Sequence, residues 1–412
     1  MKTIDGIPID DLAREFGSPV FAASATSIIR NCRAFSAAFS AAYPKLEVAY
    51  SYKVNSVPAI LGIIHGEGAW AEAASGFEYE LARRMGVPGS SVVFNGPYKK
   101  KEELRKAVKD DALINADHIE EIEILEEIAR EEGRTLDIGI RVSMETGIEQ
   151  MPDRFGFNIE SGEAERAVER ASRSELIRVA GLHVHLTSYI VEPREDGGIP
   201  ARHVRLIWPK DPGAYRKAAE AVTRFSMEMK EEFGVRMKYI DMGGGFPAAG
   251  SIAPYVPAVT GPISEGFGSE DPPLLILEPG RAIISDAVHL VATVVAVKEL
   301  MGGARAAVVD AGINILPTSL WKFQDIECVD DRGGDLRDAT VYGPLCLQTD
   351  IIGKCMLPEL RAGDRLVIKN VGAYNIPQSS TFIFPRPPIV IIEEGKARII
   401  RRGETLDDVL PV

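Results

Sequence analysis

Cysteine is sparse in this 412-residue chain: four residues, Cys32, Cys328, Cys346 and Cys355, with no C-x-x-C pair. That spacing disfavours a disulfide scaffold or a structural zinc site and leaves reduced thiols as the expectation. Positive charge is also in deficit, at a formal net charge of -13. Such a surface repels polyanions, which argues against a general nucleic-acid or anionic-membrane binder. No apolar run approaches the roughly 18 to 20 residues of a spanning helix. The opening segment MKTIDGIPIDDLAREFG lacks a signal-peptide core. A soluble, cytoplasmic protein is therefore expected, with no nucleic-acid or membrane partner.

The chain is rich in alternation. Short β-branched or apolar runs are followed by amphipathic helical stretches eight times. The runs are VAYSYK (48–53), AWAEAA (69–74), SVVFN (91–95), ALINA (112–116), DIGIRVS (137–143), VAGLHVHL (179–186), MKYIDM (237–242) and LLILE (274–278). Eight βα repeats predict a closed (β/α)8 TIM-type barrel of parallel strands. The pattern then changes to AVHLVATVVAVKEL, ARAAVVDAG, RLVIKN, STFIF, IVIIEE and ARIIRRG. These runs lack intervening helices and predict a second, mostly antiparallel β-domain. The expected division is an N-terminal segment 1–30 packing with the β-domain, a barrel over 31–284, and the β-domain over 285–412. Residues 193–213, PREDGGIPARHVRLIWPKDPG, interrupt the sixth βα unit. Long loops on the C-terminal face of a barrel commonly serve function.

The C-terminal strand ends of such a barrel carry the chemistry. Here they bring Lys53, Ser75 with Glu78, Asn95, Arg141, His185 with Ser188, Gly243-Gly244-Gly245, and Glu278-Pro279-Gly280-Arg281. Each has a bland alternative. A strand-end lysine is ordinarily solvated, and a glycine triplet is ordinarily a turn. His183 and His185, two apart on one predicted strand, share a face, and an H-x-H pair can also ligate a metal. Only six histidines exist, and no acidic cluster with ligand spacing accompanies the pair, so no metal is expected. Taken together, one per strand, the residues match the needs of pyridoxal 5'-phosphate (PLP). That cofactor requires a lysine for a Schiff base, an acid at the pyridine nitrogen and donors for its phosphate. Backbone N–H groups of DMGGGFP and the Arg281 guanidinium would serve the phosphate.

The chain resembles the fold-type III PLP-dependent decarboxylases, the family of diaminopimelate and ornithine decarboxylases, over nearly its whole length. YSYKVN, AASGFE, GLHVHLTS, DMGGGFP and EPGRA match the family's barrel motifs, and GPLCLQTD and GAYN match those of its β-domain. The resemblance implies that Lys53 is the Schiff-base lysine, that His185 stacks on the ring and that Glu278 pairs with the pyridine nitrogen. It further implies that Ser188, Gly243, Gly244, Gly245, Gly280, Arg281 and Tyr374 hold the phosphate end, with Arg141 among the cofactor contacts. Cys346 would be a general acid contributed across a homodimer interface, with Leu347, Asp350 and Arg154 at the substrate or interface. The implied reaction is loss of an amino-acid α-carboxylate as CO2.

Two positions depart from the family pattern. Diaminopimelate and ornithine decarboxylases follow the cysteine with Glu or Asp, which meets the distal ammonium, whereas this chain has Leu347. The stretch that carries a carboxylate-binding arginine in diaminopimelate decarboxylases reads INILPTSLW here, residues 313–321. Losing two charge-assisted contacts of roughly 1.5 to 3 kcal/mol each would cost roughly a hundred-fold or more in discrimination. The expectation is therefore a substrate whose tail differs from free diaminopimelate or ornithine, with Arg194, Arg202, Arg205 or Lys210 as replacement cations. The alternatives are a diaminopimelate decarboxylase of lysine biosynthesis, an amino-acid racemase, and a non-catalytic paralogue that binds PLP or a partner.

Overall fold

A computed structural model describes residues 1–147, 154–186, 189–191, 204–206, 211–268, 271–330 and 335–410. Among them, eight parallel strands close into a barrel. They are β1 Leu46–Ser51, β2 Trp70–Ala73, β3 Val92–Phe94, β4 Leu113–Ala116, β5 Leu136–Ser143, β6 Ile177–His183, β7 Tyr239–Asp241 and β8 Leu274–Leu277. Neighbours pair in chain order, and the ring shuts where Leu277 of β8 meets Val48 of β1. A parallel strand buried on both faces needs no polar side, and Val92, Val93 and Phe94 of β3 are all fully buried.

The barrel axis is filled by Ala49, Val93, Ala180, Tyr239 and Ile276. Glycines in register on the two preceding strands, β6 and β5, make room for the one large ring. A Cβ on Gly181 would lie 2.4 Å from Tyr239 Cε2, and one on Gly139 would lie 2.2 Å from its hydroxyl. The outer helices follow the amphipathic pattern that marks them in the sequence. Ile119–Glu132 buries Ile122, Leu125, Ile128 and Ala129 and stops at Gly133, whose φ of 64° is left-handed.

The chain divides into two compact units: Asn31–Ile190 with Leu206–Ala282, and Met1–Arg30 with Val191–Arg205 and Ile283–Val412. In the second, the long strand Val288–Glu299 pairs antiparallel with Arg305–Val309, Arg365–Lys369 and the N-terminal strand Val20–Ser24. Two further pairings are parallel: Ile389–Glu393 with Val20–Ser24, and Arg305–Val309 with Arg337–Tyr342. Val20, Ala22, Val291, Val367, Val390 and Ile392 pack into this sheet's core with Leu12.

Four sequence expectations differ here. STFIF forms no strand. Prolines at 377, 385, 387 and 388 flank it, and Ile383 takes a φ of 65°, so no extended ladder can run through. The strands Asp325–Cys328, Arg337–Tyr342 and Ile351–Leu357 were not foreseen. β1 stops at Ser51, and Lys53 sits in the 3-10 turn Tyr52–Val54. β6 ends at His183, so His185 lies past the strand, yet both rings turn to the Glu278 carboxylate.

Candidate active site

Lys53 projects from its turn between two buried neighbours, Tyr52 and Val54. Its Nζ lies 2.5 Å from Glu72 Oε2. Glu72 sits on β2 with no exposed surface and also accepts a hydrogen bond from Ser51 Oγ. An inward carboxylate beneath a lysine is missed when the sequence is read by strand ends. The available signal was a charge at the centre of the apolar run AWAEAA.

Amides carry a hydrogen-bond chain across the barrel interior. Tyr239 OH donates to Asn115 Oδ1 at 2.8 Å, and Asn115 Nδ2 donates to Asn95 Oδ1 at 2.8 Å. Asn95 Nδ2 donates to Glu278 Oε1 at 2.5 Å and to Glu72 Oε1 at 3.4 Å. Two buried carboxylates of the site, Glu72 and Glu278, thus share one amide, and each residue fixes the next.

Glu278, just past β8, is buried. Its Oε2 approaches His183 Nε2 at 3.5 Å and His185 Nδ1 at 3.8 Å, both too long for a good hydrogen bond. Burial pushes the Glu278 carboxyl up, but the opposing pull of His183, His185 and Lys53 is larger and holds it well below its ordinary value. His185 Nδ1 accepts the Gly244 N–H at 3.1 Å, and burial lowers its pKa. A neutral, flat imidazole face results. His183, His185 and Glu278 bring three donor atoms within 4.8 Å. The acid that spacing alone did not offer the H-x-H pair therefore arrives from a distant strand.

Gly243 and Gly245 have φ of 62° and 89°, and Gly244 has no room for a Cβ, which would lie 2.4 Å from Glu278 O. Two of the N–H groups expected to face an anion are already engaged: Gly243 donates to Asp241 Oδ1 at 2.9 Å, and Gly244 donates to His185. Arg281 Nη2 donates to Gly245 O at 2.6 Å, which ties the guanidinium to the turn. At Gly280 a Cβ would lie 2.3 Å from Val54 Cγ2, so only glycine lets this turn approach the Lys53 turn. Glu78 lies under the start of the helix Gly76–Arg84, where its Oε2 accepts the Ala74 N–H at 2.8 Å. Ser75 caps that helix by accepting the Glu78 N–H. Arg141, at the end of β5, reaches Asp117 at 3.6 Å. Its guanidinium and that of Arg154 lie over the Phe155 ring, at 4.7 and 4.2 Å.

In the second unit, Cys346 is exposed, as is Leu347 at 42%. Asp350 is turned inward. Its oxygens accept the N–H groups of Ile313 at 2.8 Å and Leu345 at 2.7 Å, so it braces the cysteine loop from within. Tyr374 adopts a left-handed φ of 65° and packs edge-on against Trp321 at 6.1 Å. A non-glycine residue there is uncommon and marks a position held for a purpose. Ser188, Arg194, Arg202 and Lys210 lie outside the described residues. Arg205 falls in the short strand Val204–Leu206, which pairs with Tyr189–Val191.

The residues fit PLP. Glu278 Oε2 is a buried carboxylate oxygen without a hydrogen-bond partner among the described residues, and it stands beside a lysine and a neutral imidazole. Its lone pairs can accept a hydrogen bond from a protonated ring nitrogen.

Comparison with known proteins agrees with this chemistry. The family described as pyridoxal-dependent decarboxylase, pyridoxal binding domain, matches residues 25–195 and 209–285. The diaminopimelate decarboxylase of Bacillus subtilis (strain 168) is 29% identical over 434 residues, covering 99% of this chain and 94% of that protein. That of Actinosynnema pretiosum subsp. auranticum is 30% identical over 437 residues, covering 99% and 91%. The crystal structure of diaminopimelate decarboxylase from M. jannaschii in co-complex with L-lysine superposes with a TM-score of 0.84 at 26% identity, covering 99% and 96%. The chain belongs to the fold-type III PLP-dependent decarboxylases, carboxy-lyases that bind their cofactor in the barrel.

Proposed function

We propose that this chain removes one α-carboxylate of diaminopimelate as CO2. The observation that carries this reading is the match, over 99% of the chain, to proteins that bear that activity in their names. Bound PLP supplies the electron sink that accepts the pair left by departing CO2. Lys53 would hold the cofactor aldehyde, and its Nζ, with Glu72 as counterion at 2.5 Å, can carry a proton at the reacting centre. His185 covers the ring face. Glu278, fixed by Asn95, holds the ring-nitrogen proton. Arg281, Tyr374, Ser188 and, of the glycine turn, Gly245 would serve the phosphate, since the Gly243 and Gly244 N–H groups are engaged within the protein. Cys346 returns a proton to Cα from a second copy of the chain, and the exposure of its loop supports that homodimer. A carboxylate at the ring nitrogen favours a deep electron sink and hence decarboxylation over racemisation.

A second reading rests on a specific observation. Leu347 offers no charge to a distal ammonium, and residues 313–321 contain no arginine for a distal carboxylate. A substrate with an ordinary α-amino-acid head and an altered or acylated tail fits those positions. CO2 release should be measured with meso-diaminopimelate beside a panel of free and acylated amino acids. Ordinary turnover of meso-diaminopimelate establishes the first reading. Turnover confined to another member of the panel establishes the second.

A further inference from the structure

Three neighbouring strand ends set His183, Asp241 and Glu278 side by side. His183 is in register with Asp241, and Asp241 with Ile276, two residues before Glu278. All three side chains are buried. Asp241 Oδ1 accepts the Gly243 N–H. Its Oδ2, like Glu278 Oε2, is closed to solvent and has no hydrogen-bond partner among the described residues when both groups are counted as ionised. The backbone brings the two residues together, since the Glu278 N–H donates to Gly243 O at 2.8 Å, and a hydrogen bond between the two carboxyl groups favours the protonated form of Asp241. Two ionised carboxylates offer only lone pairs, and a buried setting penalises a second charge; one proton between them satisfies both oxygens.

The neighbours decide which group holds that proton. Glu278 receives the Asn95 amide and faces His183, His185 and Lys53, all of which favour its ionised form. Asp241 faces Glu278 just past the adjoining β8, Glu72 of β2 and Tyr239 of its own strand, while His183, in register on β6, turns its Nε2 to Glu278. Burial first, then the charges of Glu278 and Glu72, push the Asp241 carboxyl well above its ordinary range.

We propose that Asp241 is a neutral carboxylic acid that donates its proton to Glu278 Oε2, keeping Glu278 ionised as the partner of the cofactor's ring nitrogen. Asp241 is then a positioning residue, acting through Glu278. The inference rests on the cofactor role given to Glu278 above. Asparagine reproduces the neutral acid: its oxygen accepts from Gly243 and its amide donates to Glu278. Alanine reproduces neither.

The test is carbon-13 NMR of the full-length, PLP-loaded protein labelled at aspartate carboxyl carbons. One resonance should remain at the protonated position at about pH 7 to 8. It should vanish in Asp241→Asn and move to the ionised position in Glu278→Gln, so either variant assigns it. By equilibrium titration, Asp241→Asn should hold PLP about as tightly as the unaltered protein. Asp241→Ala should bind roughly 10- to 100-fold more weakly, as expected for one lost hydrogen bond to a charged group. A native protein with no protonated aspartate, a protonated signal that survives Asp241→Asn, or an asparagine variant as weak as the alanine variant would overturn the proposal. A protein that takes up no PLP overturns instead the role given to Glu278, while the resonance still decides who holds the proton.

Discussion

Lys53 is held by the buried carboxylate of Glu72, and the chemistry asked of it depends on that contact. Replacing it with alanine should abolish the visible absorption of bound PLP and lower CO2 release by roughly a thousand-fold or more, read by spectrophotometry and a CO2 assay. A second carboxylate nearby behaves differently. Burial, with the added charge of Glu72, raises the Glu78 carboxyl to about 7, partly offset by the Ala74 N–H and by Lys53. Because the folded state binds this proton more tightly than the unfolded chain, its stabilising contribution is complete below about pH 4.5 and is lost as pH rises through about 7. Glu78→Gln removes the titration. The variant should match the unaltered protein near pH 4.5 and exceed it by about 1 to 3 kcal/mol near pH 8, measured by urea unfolding at both.

The glycine turn after β7 shows why an element can demand one residue type. An alanine at Gly243 would hold a φ of 62° and place its Cβ 2.3 Å from Val184 O, a backbone atom that cannot swing aside. Gly243→Ala should lose about 2 to 4 kcal/mol and weaken PLP binding, because the same turn positions His185 and Arg281. Gly66 makes the control. It lies in the helix Pro58–Gly66, and a Cβ there meets nothing within 4 Å. Gly66→Ala should stabilise by roughly 0.4 to 1 kcal/mol, with urea unfolding of both variants as the measurement. The motif DMGGGFP announced the turn in the sequence, but not that its first two N–H groups would be spent inside the protein. That depended on Asp241 and His185 reaching back to it.

For the molecule as a whole, the implied homodimer makes a quantitative prediction. If Cys346 serves a site on a second copy, Lys53→Ala and Cys346→Ala chains, each inactive alone, should regain about a quarter of native activity when mixed in equal amounts and re-equilibrated. Half of the dimers are then mixed, each with one intact site. No recovery would place both residues in one chain's site. Among the described residues, no helix is long and apolar enough to cross a membrane.

The sequence by itself determined the βα alternation, and with it the closed barrel. It also determined which residue types stand where the strands end. Local backbone preference and burial of short apolar runs act over a few residues, and that range is legible in one dimension. Only the tertiary structure decided what those residues meet. Asn95 and Glu278 lie 183 positions apart, Asn115 and Tyr239 lie 124 apart, and Lys53 and Glu72 sit on adjoining units. In a parallel barrel the partner of any strand-end side chain is at least one helix away, and the register of closure selects it. For that reason the lysine could be read from YSYKVN, while its carboxylate on β2 and the neighbouring of Asp241 and Glu278 came with the pairing of adjacent strands, and the Asn95 bridge with the closure of β8 on β1.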